Sequence, residues 1–80
     1  MKTRLEFPTQ VAAQNKADAI HQAMIAVDPD YARSVQLGHT TAWAIPYQDE
    51  TTGNWCVNVK ERGDEALTPA DKAKLKEMKK

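Results

Sequence analysis

Between residues 43 and 59 large and small side chains alternate twice, once on each side of a polar stretch. Trp43, Ile45 and Tyr47 interleave with Ala42, Ala44 and Pro46, and Trp55, Val57 and Val59 interleave with Cys56, Asn58 and Lys60. A side-chain period of two belongs to a strand with one buried face. The intervening Asp49, Glu50, Thr51, Thr52, Gly53 and Asn54 are turn formers. The pattern predicts an antiparallel hairpin with strands at about 41–47 and 55–61. Placing Tyr47 opposite Trp55 sets Ile45 against Val57 and Trp43 against Val59, with all six on one face. A slip of one residue would expose three of them, so the register is strongly specified.

A lone hairpin is not stable in water, so the rest of the chain must cover it. The best candidate is a helix over residues 9–27, capped by Thr9 behind Pro8. Alanine-rich sequence favours it, and Ala13, Ala17, Ile20, Met24 and Val27 make one apolar stripe that Tyr31 could extend. Alanine at the upstream end permits close approach to a partner. The opposite side carries Gln14, Lys16, Asp18, His21 and Gln22, which places His21 in solvent. Asp28-Pro29 ends the helix. Upstream, Leu5 and Phe7 alternate with Arg4 and Glu6 and suggest a short strand at 3–7, stopped by Pro8.

Residues 28–38 admit two readings. Asp28 could cap a short helix with Pro29 at its first position and Gly38 closing it. The run of odd-numbered Val35, Leu37, Thr41, Trp43, Ile45 and Tyr47 favours a loop over 28–33 and then strand. Thr68, Pro69 and Asp71 form a capped helix start, and the spacing predicts a last helix over about 69–79, weakly anchored by Leu75 and Met78. The fold class is therefore α+β, one domain over residues 1–80 in the order β-α-β-β-α, with helices on an antiparallel sheet.

Composition narrows function. Eleven Lys+Arg balance eleven Asp+Glu, which excludes a generally basic nucleic-acid coat or polybasic membrane binder. The longest apolar run, residues 23–27, is far short of the ~20 residues of a membrane span, and no signal-peptide core follows Met1. One cysteine forms no internal disulfide. These features point to a cytoplasmic protein with no membrane partner.

No motif for catalysis or cofactor binding stands out. Cys56 has no cation in sequence reach to activate it, since Lys60 lies about 13 Å along the strand. His21, His39 and Cys56 lack zinc-ligand spacing, so no metal is expected. The Gly38–Thr41 stretch lacks the glycines and lysine of a phosphate loop. Asp49-Glu50 and Asp64-Glu65 read as solvated turns. The chain is expected to have no catalytic residues, no cofactor and no enzymatic activity.

The balanced charge is a cancellation along the chain. Residues 1–27 carry +1, residues 28–65 carry −4 and residues 66–80 carry +3. The acidic stretch supplies Asp28, Asp30, Asp49, Glu50, Glu61, Asp64 and Glu65 as partner-binding candidates, complementary to a basic surface. Ala42, Ala44, Pro46, Cys56 and Asn58 make the other hairpin face small and nearly uncharged, either covered by the second helix or left flat for a partner. The expected function is a non-enzymatic protein-interaction module that binds and inhibits or modulates a larger protein or ribonucleoprotein complex. Compact domains without catalytic residues are common among phage and prophage inhibitors, anti-CRISPR proteins included, and the analogy rests on size alone. The alternative is nucleic-acid binding through Lys60, Arg62 and the terminal Lys72, Lys76, Lys79 and Lys80.

Overall fold

The computed structural model describes residues 3–60 and 62–77. Strand β1 (Thr3–Phe7) leads into helix α1 (Gln10–Val27) and a second helix α2 (Pro29–Gln36). After an extended stretch come β2 (Tyr47–Gln48) and β3 (Trp55–Val59), a 3-10 turn at Gly63–Ala66, helix α3 (Pro69–Ala73) and β4 (Lys76–Glu77). The sheet is antiparallel, in the order β2-β3-β1-β4. It is a small α+β domain, and among the described residues no helix is long and apolar enough to cross a membrane.

β1 is the central strand. Its five residues pair with all of β3, setting Leu5 opposite Val57 and Phe7 opposite Trp55. Paired residues share a face, so Leu5, Val57 and Val59 point together to one side. There they meet the stripe expected of α1: Ala13, Ala17, Ile20 and Met24 are buried. Val27, the last member of that stripe and the last residue of the helix, is 44% exposed. Thr9 caps α1 by accepting from the Ala12 amide at 3.2 Å.

The sequence preference for a strand after residue 33 is overturned, and the alternative short helix forms. The Asp28 carboxylate accepts from the Asp30 and Tyr31 amides at 3.0 and 3.3 Å, and Pro29 fills the first turn. At the other end Gly38 takes φ +78°, donating to Val35 C=O while His39 donates to Ser34 C=O, each at 3.0 Å. This paired closure stops the helix and turns the chain. Local capping outweighs the alternation of Val35 and Leu37, and Leu37 is left 59% exposed.

The hairpin forms with a shorter first strand and a different register. Asp49 donates to Asn54 C=O at 2.8 Å, which makes these two residues opposite each other. Tyr47 therefore pairs with Cys56 and Gln48 with Trp55, one residue from the expected match. The six large residues do not share a face. Tyr47 joins Cys56 on the side away from α1, and Ile45 is 86% exposed. Residues 41–46 are not strand. Pro46 lacks an amide for the ladder, and Trp43 turns inward instead. Its indole Nε1 donates to Asn58 C=O at 3.3 Å, and its ring lies 5.7 Å from that of Tyr31.

The last helix is also shorter than expected. Thr68 and Asp71 form the capping box, but α3 ends at Ala73 and Lys76–Glu77 pair with β1. Five residues are too few to sustain a helix without a buried face. The open edge of β1 offers backbone partners, and Glu6 draws Lys76 to 3.3 Å. Lys16 ties α3 back to α1 through Asp71 at 2.9 Å.

Gly63 is where the Trp43 ring is seated. A Cβ there would overlap Cζ2 of Trp43 and lie 2.7 Å from its Cη2. Gly63→Ala is expected to destabilise the fold by about 1–3 kcal/mol through overpacking. Urea unfolding measures this, and an unchanged midpoint would show that Trp43 is not fixed as described.

Candidate functional site

Titratable groups gather on the sheet face away from α1. Pairing sets Glu6 opposite Cys56 and Arg4 opposite Asn58, and β2 adds Tyr47. The expected small, uncharged face is therefore a charged one. The cause is topological: β3 has β1 as its full-length neighbour, and β1 contributes Arg4 and Glu6. Arg4 is 6% exposed and Cys56 1% exposed. Asp49 is buried as well, unlike the solvated turn residue expected. Its carboxylate accepts from the Thr51 amide at 2.8 Å, which holds the turn.

The Glu6 carboxylate is the hub of this face. It accepts from Arg4 at 3.3 Å and Asn54 at 3.4 Å, and Lys76 stands 3.3 Å away. Burial pushes the Glu6 carboxyl up, but the hydrogen bonds from Asn54 and Lys76 and the charges of Lys76 and Arg4 prevail and hold it below the usual value. Tyr47 donates to the Asn58 amide oxygen at 2.7 Å. Burial raises the Tyr47 phenol, and the acidic Cys56, Asp49 and Glu6 add to that while Arg4 opposes it.

Glu6, Asp49 and Cys56 each bring one possible ligand atom within 4.8 Å of the others. The surroundings do not suit a metal. Glu6 already has two cations within 3.3 Å, and one thiol with two carboxylates mixes soft and hard donors. Cys56 is expected to be a packing residue, and its near-complete burial limits access of any substrate to the sulfur. His21 is half-buried rather than solvated, sharing a 2.5 Å hydrogen bond with the Tyr31 hydroxyl.

The acidic candidates separate into two groups. Asp28 lies 3.6 Å and Glu65 3.4 Å from Arg62, and Asp30 adds to their field. The hydrogen bond that Arg62 donates to Glu65 comes first in raising its guanidinium, followed by the charge of Asp28. Asp30, Asp64 and Glu65 are exposed. They sit where β3 ends, whereas Asp49 and Glu50 sit beyond the opposite end of that strand, about 13 Å along it. Glu61 lies outside the described residues. Asp28 is committed to capping α2, and Arg62 adopts φ +65° within the turn that Gly63 closes by donating to Lys60 C=O at 2.8 Å.

The basic candidates do not form one helical face. Lys60 donates to Trp43 C=O and stands 5.5 Å from the centre of that ring. Lys76 pairs with Glu6, Arg62 with Asp28 and Glu65, and Lys72 is exposed on α3. Lys79 and Lys80 lie outside the described residues. Sequence reasoning missed the Arg4–Glu6 pair as part of a site. The alternation at 3–7 already put both on one face, but only the pairing with β3 brings Cys56, Asp49 and Tyr47 to them.

No family model, curated protein or solved structure matches this chain. What the fold and its surfaces define is a class: a small α+β domain with a charged sheet face and an acidic end.

Glu6 and Asp71 are both held low, Asp71 because hydrogen bonds from Lys16 and Thr68 outweigh its burial. Carboxyls depressed by folding stabilise the native state above the unfolded-state pKa and lose that contribution as pH falls through the folded one. Stability should be level above about pH 5 and decline below about pH 4. Glu6→Gln should flatten part of that decline in urea titrations at pH 3.5 and pH 7. An identical acid slope in the variant would refute the role of Glu6.

Proposed function

We propose that this chain is a non-enzymatic protein-interaction module that occupies a basic surface of a larger protein or ribonucleoprotein complex and so modulates it. The observation that carries this reading is the acidic end. Asp30, Asp64 and Glu65 are presented to solvent beside Asp28, with Arg62 as the cation drawn in among them. Carboxylates clustered on a rigid end steer association with a basic partner and set its orientation. Pairing of Lys60, Arg62 and Lys76 within the fold weighs against nucleic acid, because each must give up a partner to reach a phosphate.

Affinity capture from cells of the native host, with wild type beside the Asp30→Lys, Asp64→Lys, Glu65→Lys triple variant, tests this. The expected result is a specific protein that the triple variant loses at least tenfold. A Lys72→Ala, Lys74→Ala variant should retain it. Equal capture by the triple variant would remove the acidic end from the interface. Steeply salt-dependent binding to DNA or RNA of any sequence would favour the alternative.

A further inference from the structure

Residues 68–77 lie on the fold with little apolar burial. α3 buries none of its five residues, and the segment contributes the half-buried Leu75 to the edge of the core. β4 pairs with β1 through two residues, Glu77 with Thr3 and Lys76 with Arg4. Among the described residues two ion pairs add to this attachment. Lys16 of α1 reaches Asp71 of α3 at 2.9 Å, and Lys76 of β4 reaches Glu6 of β1 at 3.3 Å. Their polarity is opposite: the segment offers the acid in one and the base in the other. An exchanged placement would set Asp71 against Glu6 and Lys76 against Lys16, and like charges repel. The two pairs therefore fix where the segment sits as well as holding it.

We propose that residues 68–77 form a flap that opens and closes as one unit on an intact core, with Lys16–Asp71 and Glu6–Lys76 as its two latches. The hinge is at Leu67–Thr68. Leu67 is buried in the core cluster and its amide donates to Asp64 C=O at 3.1 Å, so the chain up to this point stays anchored. Thr68 is exposed, and its capping box is internal to the segment. The Thr68 amide donates to the Asp71 carboxylate and the Asp71 amide to the Thr68 hydroxyl, each at 3.2 Å. The segment thus carries its own helical turn with it. Opening gives up two strand pairs, the Leu75 contact and two ion pairs whose lysines are part-exposed. It leaves α1 seated on Leu5, Val57 and Val59. A unit attached this lightly opens far more often than the whole domain unfolds. Opening uncovers the outer backbone edge of β1 at Thr3 and Arg4, which β4 otherwise keeps from pairing with another chain. Asp28, Asp30, Asp64 and Glu65 all precede the hinge, so the flap is independent of the function proposed above.

Native-state hydrogen exchange followed by NMR on the 80-residue chain tests this. The amides of Lys72, Lys74 and Leu75 donate to the Thr68, Asp71 and Lys72 carbonyls. Together with the protected amides of β4 they should share one opening constant, larger than that of the buried turns of α1. Lys16→Met removes the latch on α3, and Lys76→Met removes the latch on β4. Each variant should raise the opening constant of both α3 and β4 by about two- to fivefold, the range of part-exposed ion pairs, and leave α1 and β3 unchanged. Raising KCl to 1 M should open the wild type more than the double variant, because salt screens the latches. Protection of the segment equal to that of α1, or none at all in the wild type, would overturn the proposal. So would a response confined to α3 in the Lys16 variant or to β4 in the Lys76 variant, which would mark two fraying pieces and not one flap. An equal change in α1 and β3, or no change anywhere, would overturn it as well.

Discussion

The seating of α1 on the β1–β3 ribbon is the contact on which the rest depends. Ala13 and Ala17 are almost wholly buried, and side chains this small let the helix backbone come close to Leu5, Val57 and Val59. Farther along the same stripe, the larger Ile20 and Met24 are buried in the same cluster. A domain of this length buries only about 60–65% of its unfolded surface, so the interior has little redundancy. Once α1 is placed, its end fixes where α2 begins, and Asp28 serves both helices by ending one and capping the other.

Trp43 is the second organising contact. It leaves the sheet to enter the core, packing over Gly63 and toward Tyr31 while bonded to the backbone of β3. This single side chain explains why the stretch before β2 is not strand, why Lys60 is folded back, and why Ile45 faces solvent. The chain loses several ladder bonds and gains the burial of an indole.

Polar groups follow the same logic. Glu6 is central because β1 is central, and it gathers Arg4, Asn54 and Lys76 from three different stretches of chain. A buried carboxylate must be compensated by cations and donors, and here the compensation also draws β4 to the sheet edge. At the far end of β3, Arg62 plays the complementary part among Asp28, Glu65 and Asp30.

Much of the architecture was legible in the sequence: the first strand, the long helix and its buried face, the strand that starts at Trp55, the Thr9 cap, the Thr68–Asp71 capping box and the α+β class. Each rests on a local signal, a period or a cap, that neighbouring residues supply alone. The hairpin register, the fate of Trp43 and Ile45, the helix at 29–36 and the short last helix were not. For residues 28–38 two local signals competed, and the caps of Asp28 and Gly38 prevailed over alternation. The hairpin register is set within the turn, where Asp49 bonds to Asn54, and for the others the deciding partner is distant: Gly63 for Trp43 and the open edge of β1 for Lys76–Glu77. The sequence by itself determined which segments are amphipathic and which residues end them. Only the tertiary structure decided which carboxylates are buried and which are presented, because that depends on β1 lying between β3 and β4, pairings between residues far apart in the chain, from Phe7 with Trp55 to Thr3 with Glu77.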